Sequence, residues 1–262
     1  MFPVRVRLRG VSLFALIVMT FASAALGQKR HDASNASTLP SARPQGVSTS
    51  LFPTRYIVIG FMGGFVRHDN PARSEYKLAE NLRAAFPPNV HIETFENHRR
   101  ERARATILHL LDEKHDGVLT PAEKKSARII LYGHSWGASA VLKLARELQK
   151  DDIPVLLTVQ VDSVGHHDTI VPANVARAVN FFQPQGLIHG RKQIRAADPA
   201  RTEILGNYQF DYKERRYDCR GYPWYEHALS RTHVQIGCDP NVWAHVELLI
   251  RSELPAPISP AR

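Results

Sequence analysis

The stretch RIILYGHSWGASAVLKL, residues 128–144, decides the fold. It begins with an apolar run of strand length and ends with residues that favour a helix. Between the two runs lies the pentapeptide Gly133-His134-Ser135-Trp136-Gly137. We therefore predict a buried strand, a tight turn and a helix in that order.

A serine between two glycines at such a turn predicts a nucleophile. Glycine on both sides permits the strained backbone that lifts the serine oxygen above the sheet, and the start of the helix favours negative charge nearby. The alternative is an ordinary glycine-rich turn. The strand before the motif and the helix after it favour the first interpretation, with Ser135 as the nucleophile.

The same alternation of apolar and amphipathic segments extends outward from this motif. The predicted strands are residues 55–60, 90–95, 127–132, 154–161 and 178–183, and the predicted helices are residues 73–86, 99–111, 138–150 and 241–251. Continuous apolar strands separated by helices indicate a mostly parallel sheet with helices on both faces, a three-layer α/β sandwich. Ligands of such sheets bind at the carboxyl ends of the strands.

The Gly-His-Ser-x-Gly motif and this order of elements resemble the α/β-hydrolase superfamily, and especially its lipases, esterases and thioesterases. The resemblance extends from about residue 54 to residue 251. It implies an α/β-hydrolase fold and an order of nucleophile, acid and histidine along the chain. It implies no particular substrate.

The resemblance places the catalytic base near the last helix, where three histidines occur. His233 is the preferred base because it lies just before that helix, and His227 is the second candidate. His245 falls inside the helix, where a structural role is expected. The base would take the proton of Ser135.

The preferred acid is Asp162, which ends the strand after the nucleophile strand. This placement resembles some lipases, whereas most of the superfamily has the acid one strand later. Asp198 and Asp168 are the alternatives. Asp162 could also be a residue that caps local N–H groups at the start of a loop.

An oxyanion needs preformed donors, usually two backbone N–H groups. The first is expected from Trp136, the residue after the nucleophile. The second is expected from Phe61 or Met62, after an early strand, with two following glycines that let the backbone approach. The loop resembles the superfamily only in its glycines, since Phe61 stands where a histidine is common. The alternative is a turn without a catalytic role.

Residues 1–27 have the pattern of a secretory signal peptide. Arginines at positions 5, 7 and 9 precede an apolar run over residues 11–26, and small residues occupy positions 25 and 27. We predict cleavage before Gln28, and hence a secreted or periplasmic protein without stable membrane insertion. The alternative is an uncleaved anchor. Residues 28–51 are predicted to be a flexible lead-in, and residues 52–262 a single α/β-hydrolase domain.

Charge and composition narrow the partners. Loss of residues 1–27 removes three arginines and no acids, which lowers the formal net charge from +9 to +6. The one short basic patch, residues 98–102, is interrupted by Glu101, so nucleic-acid binding is not expected. A small-molecule or lipid ester is the expected partner, no organic cofactor or metal is expected, and the oligomeric state is left open.

Three further sequence features are a pair of cysteines, an EF-hand-like segment and an aromatic-rich segment. Cys219 and Cys238 are predicted to form a disulfide that restrains the histidine-bearing loop, with free buried thiols as the alternative. Residues 112–123 resemble a calcium-binding EF-hand loop, but Lys114 stands at a ligand position, which favours a solvated turn. Seven aromatic residues between Tyr208 and Tyr225 line a substrate pocket or pack against the sheet, and the sequence favours neither.

Overall fold

The structure is a computed structural model that describes residues 55–257, apart from the side chains of Tyr225 and Leu229. The described residues belong to one compact unit, which extends from Thr49 to Arg262. The predicted signal peptide and lead-in lie outside the described residues.

Eight strands and six helices alternate along residues 55–257. The strands are β1 (Arg55–Met62), β2 (Val90–Glu96), β3 (Ala127–His134), β4 (Val155–Val161), β5 (Ile170–Val171), β6 (Val175–Phe182), β7 (Arg195–Ala196) and β8 (Glu203–Gln209). The helices are α1 (Ser74–Ala85), α2 (Arg100–Leu111), α3 (Pro121–Ser126), α4 (Trp136–Lys150), α5 (Trp224–Cys238) and α6 (Pro240–Glu253).

Six of the strands form one parallel sheet in the order β2-β1-β3-β4-β6-β8. The chain adds β2 on one side of β1 and then crosses to add β3 on the other side. This reversal leaves a crevice at the carboxyl ends of β1 and β3, where ligands bind in open parallel sheets. Strands β5 and β7 form a separate two-stranded parallel sheet.

The sheet is covered on both faces because consecutive residues of each central strand are apolar. In β1, Ile57 and Ile59 pack with α2 and α4, whereas Val58 between them packs with α1 and α6. Side chains alternate between the faces of a strand, so an uninterrupted apolar run buries both faces. The predicted three-layer α/β sandwich is confirmed.

Two elements near the end of the chain were not predicted. Strand β8 lies at the edge of the sheet and is mostly half-buried or exposed, so its sequence lacks a continuous apolar run. Helix α5 is broken at Ser230, whose backbone dihedrals, φ −157° and ψ 55°, are not helical. The break interrupts the periodicity by which an amphipathic helix is recognised.

No helix between residues 55 and 257 is both long enough and apolar enough to cross a membrane.

Candidate active site

Ser135 occupies a sharp turn between β3 and α4. Its backbone has φ 59° and ψ −124°, a conformation that costs a residue with a side chain about 1–3 kcal/mol. The N–H of Ser135 donates to the carbonyl oxygen of Val161, at the end of the neighbouring strand β4, over 2.9 Å. This bond helps to hold the turn, which places the hydroxyl at the carboxyl edge of the sheet.

Gly133 and Gly137 were predicted to allow a strained backbone, but their backbone is not the strained part of the turn. The positive φ belongs to Ser135, and Gly133 and Gly137 are not among the residues with positive φ. They are needed for space: a Cβ on Gly137 would lie 2.1 Å from the carbonyl oxygen of Phe61, and one on Gly133 would lie 2.6 Å from the backbone of Gly137. The glycines therefore let the elbow pack tightly against β1.

His233 meets the serine from helix α5. Its Nε2 lies 2.8 Å from the Ser135 Oγ, and the imidazole is 7% exposed. The sequence placed this residue in a segment before the last helix, whereas it lies in the second half of α5, after the break at Ser230. The break sets the direction of this half independently of the first.

Asp162 completes a hydrogen-bonded chain with these two residues. It follows β4 directly, has φ 47°, and is fully buried. Its Oδ2 accepts from the Nδ1–H of His233 over 2.6 Å. Because a carboxylate can only accept, this bond fixes the imidazole tautomer that leaves Nε2 free to accept from Ser135.

Three more donors hold the Asp162 carboxylate in place. Oδ1 accepts from the backbone N–H groups of Gln183 and Gly190, over 3.0 Å and 2.7 Å, and Oδ2 accepts from the side-chain amide of Gln183 over 3.0 Å. Four donors thus surround one buried carboxylate and fix its position.

The alternative acids lie elsewhere. Asp168 is buried, and its carboxylate accepts from the hydroxyls of Ser139 and Ser163 and from the N–H of Gly165. Asp198 accepts from the N–H of Ala200 in a turn. Neither aspartate has a hydrogen bond to His233 within the described residues, and both act as local structural acceptors.

The alternative bases also have other contacts. The Nε2 of His227 lies 3.2 Å from the carbonyl oxygen of Cys219, in the first half of α5. His245 is half-buried in α6, with its ring 5.1 Å from that of Phe181 in an edge-on contact. The structural role expected of His245 agrees with this packing.

The predicted oxyanion loop follows β1 and reaches the site. Trp136 begins α4 directly after the serine and lines the cavity described below. Phe61 and Met62 are fully buried within β1, and the cavity wall is formed instead by Gly63 and Gly64, the next two residues. The residues of this loop that line the cavity beside the serine are thus Gly63 and Gly64, and not the predicted Phe61 or Met62.

A cavity of about 240 Å³ opens above the serine and histidine. Most of its wall is apolar, from Phe65, Trp136, Val164 and Ile188. The rings of Phe65 and Trp136 meet edge to face, with 5.1 Å between their centroids, and Phe65 is 89% exposed. The site therefore lies at the base of a small, mainly apolar opening.

The polar part of the wall includes an ion pair. The Arg73 guanidinium is 2% exposed, donates to both carboxylate oxygens of Glu226 over 3.0 Å and 3.2 Å, and lies 3.6 Å from the centroid of the Tyr222 ring. Although burial opposes its charge, Tyr222, Glu75 and Glu226 together raise the pKa of Arg73. This pair lies beside the reacting groups without contacting Ser135 or His233 through a hydrogen bond in the described residues.

Two buried ionisable groups lie behind the serine. Burial raises the pKa of the Glu75 carboxyl, despite the nearby Arg73. Burial, together with repulsion from His233 and Arg73, holds the pKa of His134 well below its ordinary value. Both shifts favour the uncharged side chains.

Cys219 and Cys238 form the predicted disulfide. The bond joins the segment before α5 to the last residue of that helix, five residues after His233. The aromatic residues around it pack into the fold: Tyr212 and Tyr222 are buried, and Tyr212 donates to Asp239 over 2.7 Å. None of the aromatic side chains described between Tyr208 and Trp224 lines the cavity. The core clusters include Phe210, Tyr212, Tyr217 and Tyr222, whereas Tyr208 and Trp224 are exposed.

The EF-hand-like segment uses its carboxylates as caps. Asp112 accepts from the N–H groups of Asp116 and Gly117, and Glu123 forms a capping box with Thr120 at the start of α3. Across residues 55–257, no three His, Cys, Asp or Glu side chains come together in a way that could hold a metal ion.

The strand order, with the Ser135 turn at the crossover and Asp162 and His233 at the same edge of the sheet, is that of an α/β-hydrolase fold. No protein-family model matches the chain, and no curated protein matches it. A crystal structure of a mutant of the esterase rPPE is similar to 81% of this chain and 77% of that chain, with 11% identity and a TM-score of 0.41. The structure of RedJ with a polyethylene glycol molecule in its active site covers 75% of this chain and 95% of that chain, with 11% identity and a TM-score of 0.34.

Proposed function

We propose that this protein is a serine hydrolase that cleaves a carboxylic ester through an acyl-enzyme on Ser135. The observation that carries the proposal is the continuous hydrogen-bonded chain from Ser135 Oγ to His233 Nε2 and from His233 Nδ1 to Asp162, at 2.8 Å and 2.6 Å. A serine becomes a strong nucleophile when a positioned base removes its proton during attack. These distances are those of a base ready to do so.

The reaction begins when the Ser135 oxygen attacks the ester carbonyl carbon and its proton passes to His233 Nε2. Asp162 stabilises the imidazolium that forms. The tetrahedral intermediate expels the alcohol, which takes the proton from His233, and leaves the acyl group on Ser135. Water then attacks this acyl-enzyme, with His233 again as base, and the acid is released.

The intermediate carries a negative oxygen that needs two donors. We assign these to the N–H groups of Trp136 and Gly64. Trp136 is the first residue of α4, where the helix dipole also favours negative charge. Gly64 is preferred to Gly63 because the Gly63 N–H already donates to Glu75 over 3.0 Å.

The cavity supports a small substrate group. Its volume of about 240 Å³ lies below the usual range for drug-sized ligands, roughly 300–1,000 Å³. An ester is the preferred bond, and a thioester is the alternative because the same groups would attack it. We also propose export from the cytoplasm, with which the Cys219–Cys238 disulfide is compatible.

A fluorophosphonate probe tests the proposed nucleophile directly, because it reacts covalently with activated serines. The mature protein should be labelled, Ser135→Ala should lose labelling, and Ser252→Ala should keep it. Ser252 is a suitable control because it is exposed near the end of α6. A folded protein without labelling would contradict the enzyme proposal and support a catalytically silent domain that binds a ligand or partner. Amino-terminal sequencing of secreted protein tests the cleavage before Gln28.

A further inference from the structure

Behind the serine, two buried side chains connect separate parts of the proposed catalytic machinery. We propose that Glu75 and His134 are a pair of positioning residues, in which Glu75 fixes the oxyanion loop and His134 fixes the helix that carries the base. The inference rests on the proposed function. Within the described residues, neither side chain has a hydrogen bond to the side chain of Ser135, His233 or Asp162, so their effect would be on alignment.

Glu75 holds the oxyanion loop from below. It lies in the first turn of α1, is fully buried, and accepts the N–H of Gly63 through Oε1 over 3.0 Å. Gly63 precedes Gly64, whose N–H is the proposed oxyanion donor. The bond to Glu75 therefore orients the residue directly before that donor. Burying a carboxyl group costs free energy unless it is hydrogen-bonded, and Glu75 has such a bond from the Gly63 N–H.

His134 holds the base from behind. Its ring stacks on that of His233, with 4.7 Å between centroids and 29° between planes. Its Nε2–H donates to the backbone carbonyl of His233 over 3.2 Å. The residue before the nucleophile is therefore bonded to the backbone of the base, which fixes the spacing of the two.

The His134 ring fits between two glycines, one on each part that it positions. A Cβ on Gly63 would lie 3.1 Å from its Nδ1, and a Cβ on Gly237 of α5 would lie 2.7 Å from its Cε1. The loop and the helix thus approach the same ring as closely as backbone can. The position of the imidazole sets both distances.

The two positioning residues are neighbours. The Nδ1 of His134 lies 4.0 Å from Oε1 of Glu75. Nδ1 and the other carboxyl oxygen, Oε2, have no hydrogen-bond partner within residues 55–257. The raised pKa of Glu75 favours its neutral acid, and glutamine reproduces the shape and the acceptor of that neutral acid.

The test compares matched variants in steady-state hydrolysis of nitrophenyl butyrate. Glu75→Met keeps the length of the side chain but removes the acceptor, and kcat should fall about 10- to 100-fold with KM within about twofold, since misplacing an oxyanion donor acts on the transition state. Glu75→Gln keeps the acceptor and should retain kcat within about threefold. Equal losses in both variants, or full activity in Glu75→Met, would overturn the role of Glu75.

A second pair decides the role of His134 even if Glu75→Met does not fold. His134→Gln carries an amide donor at the reach of Nε2, whereas His134→Asn carries it at the reach of Nδ1. His134→Gln should keep kcat at least about tenfold above that of His134→Asn, with similar melting temperatures. Equal kcat values would overturn the inference. Failure of the underlying proposal is distinguishable, because the wild-type protein itself would then show neither probe labelling nor hydrolysis.

Discussion

Replacing Asp162 by asparagine removes one charge from the proposed triad and changes little else in shape. The outcome can be derived from the four donors around the carboxylate. Oδ1 receives two backbone N–H groups, from Gln183 and Gly190, so the oxygen of the new amide must take that position. The amide nitrogen then lies where Oδ2 was, facing His233.

In that orientation the amide donates to Nδ1 of His233, and the imidazole must carry its proton on Nε2. A protonated Nε2 cannot accept the proton of Ser135. The new amide also meets a second donor, Nε2 of Gln183, which cannot rotate freely because it donates to Ile188 and its oxygen accepts from Gln185. The variant therefore holds the wrong tautomer with otherwise intact geometry.

A triad with the wrong histidine tautomer loses about four orders of magnitude in kcat. This loss corresponds to about 5.4 kcal/mol of transition-state stabilisation, at about 1.36 kcal/mol for each tenfold change. The assay is kcat/KM for nitrophenyl butyrate, measured on protein whose folding has been checked by thermal unfolding. We expect a decrease of at least about a thousandfold in Asp162→Asn.

Two matched variants serve as controls. Asp168→Asn, also buried, should lose stability because its carboxylate holds Ser139 and Gly165, but it should remain within about tenfold in kcat/KM. Asp198→Asn should behave as the wild type. A folded Asp162→Asn that keeps kcat/KM within tenfold of wild type would refute the assignment, and a thousandfold loss in either control would move the acid to that residue.

Three further outcomes are expected. Burial holds the pKa of His134 well below its ordinary value of 6.5, so below that pH this histidine binds a proton in the unfolded chain and not in the folded one. Its contribution lowers the free energy of unfolding between pH 7 and pH 5, by at most about 1.4 kcal/mol per pH unit, so the wild type should lose more stability over that interval than His134→Gln. Equal losses in the two proteins would contradict this. Replacing both Cys219 and Cys238 by serine should lower the free energy of unfolding by about 3 kcal/mol in urea titrations, since the bond closes a 19-residue separation, and no decrease would show that it restrains little. The cavity of about 240 Å³ has the volume of about eight water molecules at about 30 Å³ each, which limits the length of an acyl group that it can hold. In a series of nitrophenyl esters, kcat/KM should therefore be greatest for acyl groups of about two to six carbons. If kcat/KM instead rises steadily up to the ten-carbon ester, the acyl chain lies outside the cavity.

The sequence predicted the sheet because the central strands are continuous apolar runs that bury both faces. It also selected Ser135, Asp162 and His233, which the structure brings into one hydrogen-bonded chain. The order of elements indicated these residues, because each was predicted beside the end or the start of a particular strand or helix. The catalytic roles themselves stay predictions until the probe and the variants are measured.

The sequence could not show what depends on contacts between distant segments. Glu75 lies in a polar first turn of α1 and carries no motif, and its burial against Gly63 follows from the packing of that helix on the sheet. The shift from Met62 to Gly64 depends on where β1 ends, and ends of elements are poorly defined by local pattern. The only local signal at this place was the pair of adjacent glycines.

The break at Ser230 divides α5 into two halves that could be altered separately. Glu226, before the break, forms part of the cavity wall, whereas His233 follows the break and the disulfide joins the end of the helix to Cys219. A change of length or direction in the first half can be absorbed at Ser230, where the backbone has already left the helical conformation. Variation of Glu226 therefore offers a route to a changed cavity wall that leaves the position of His233 unchanged.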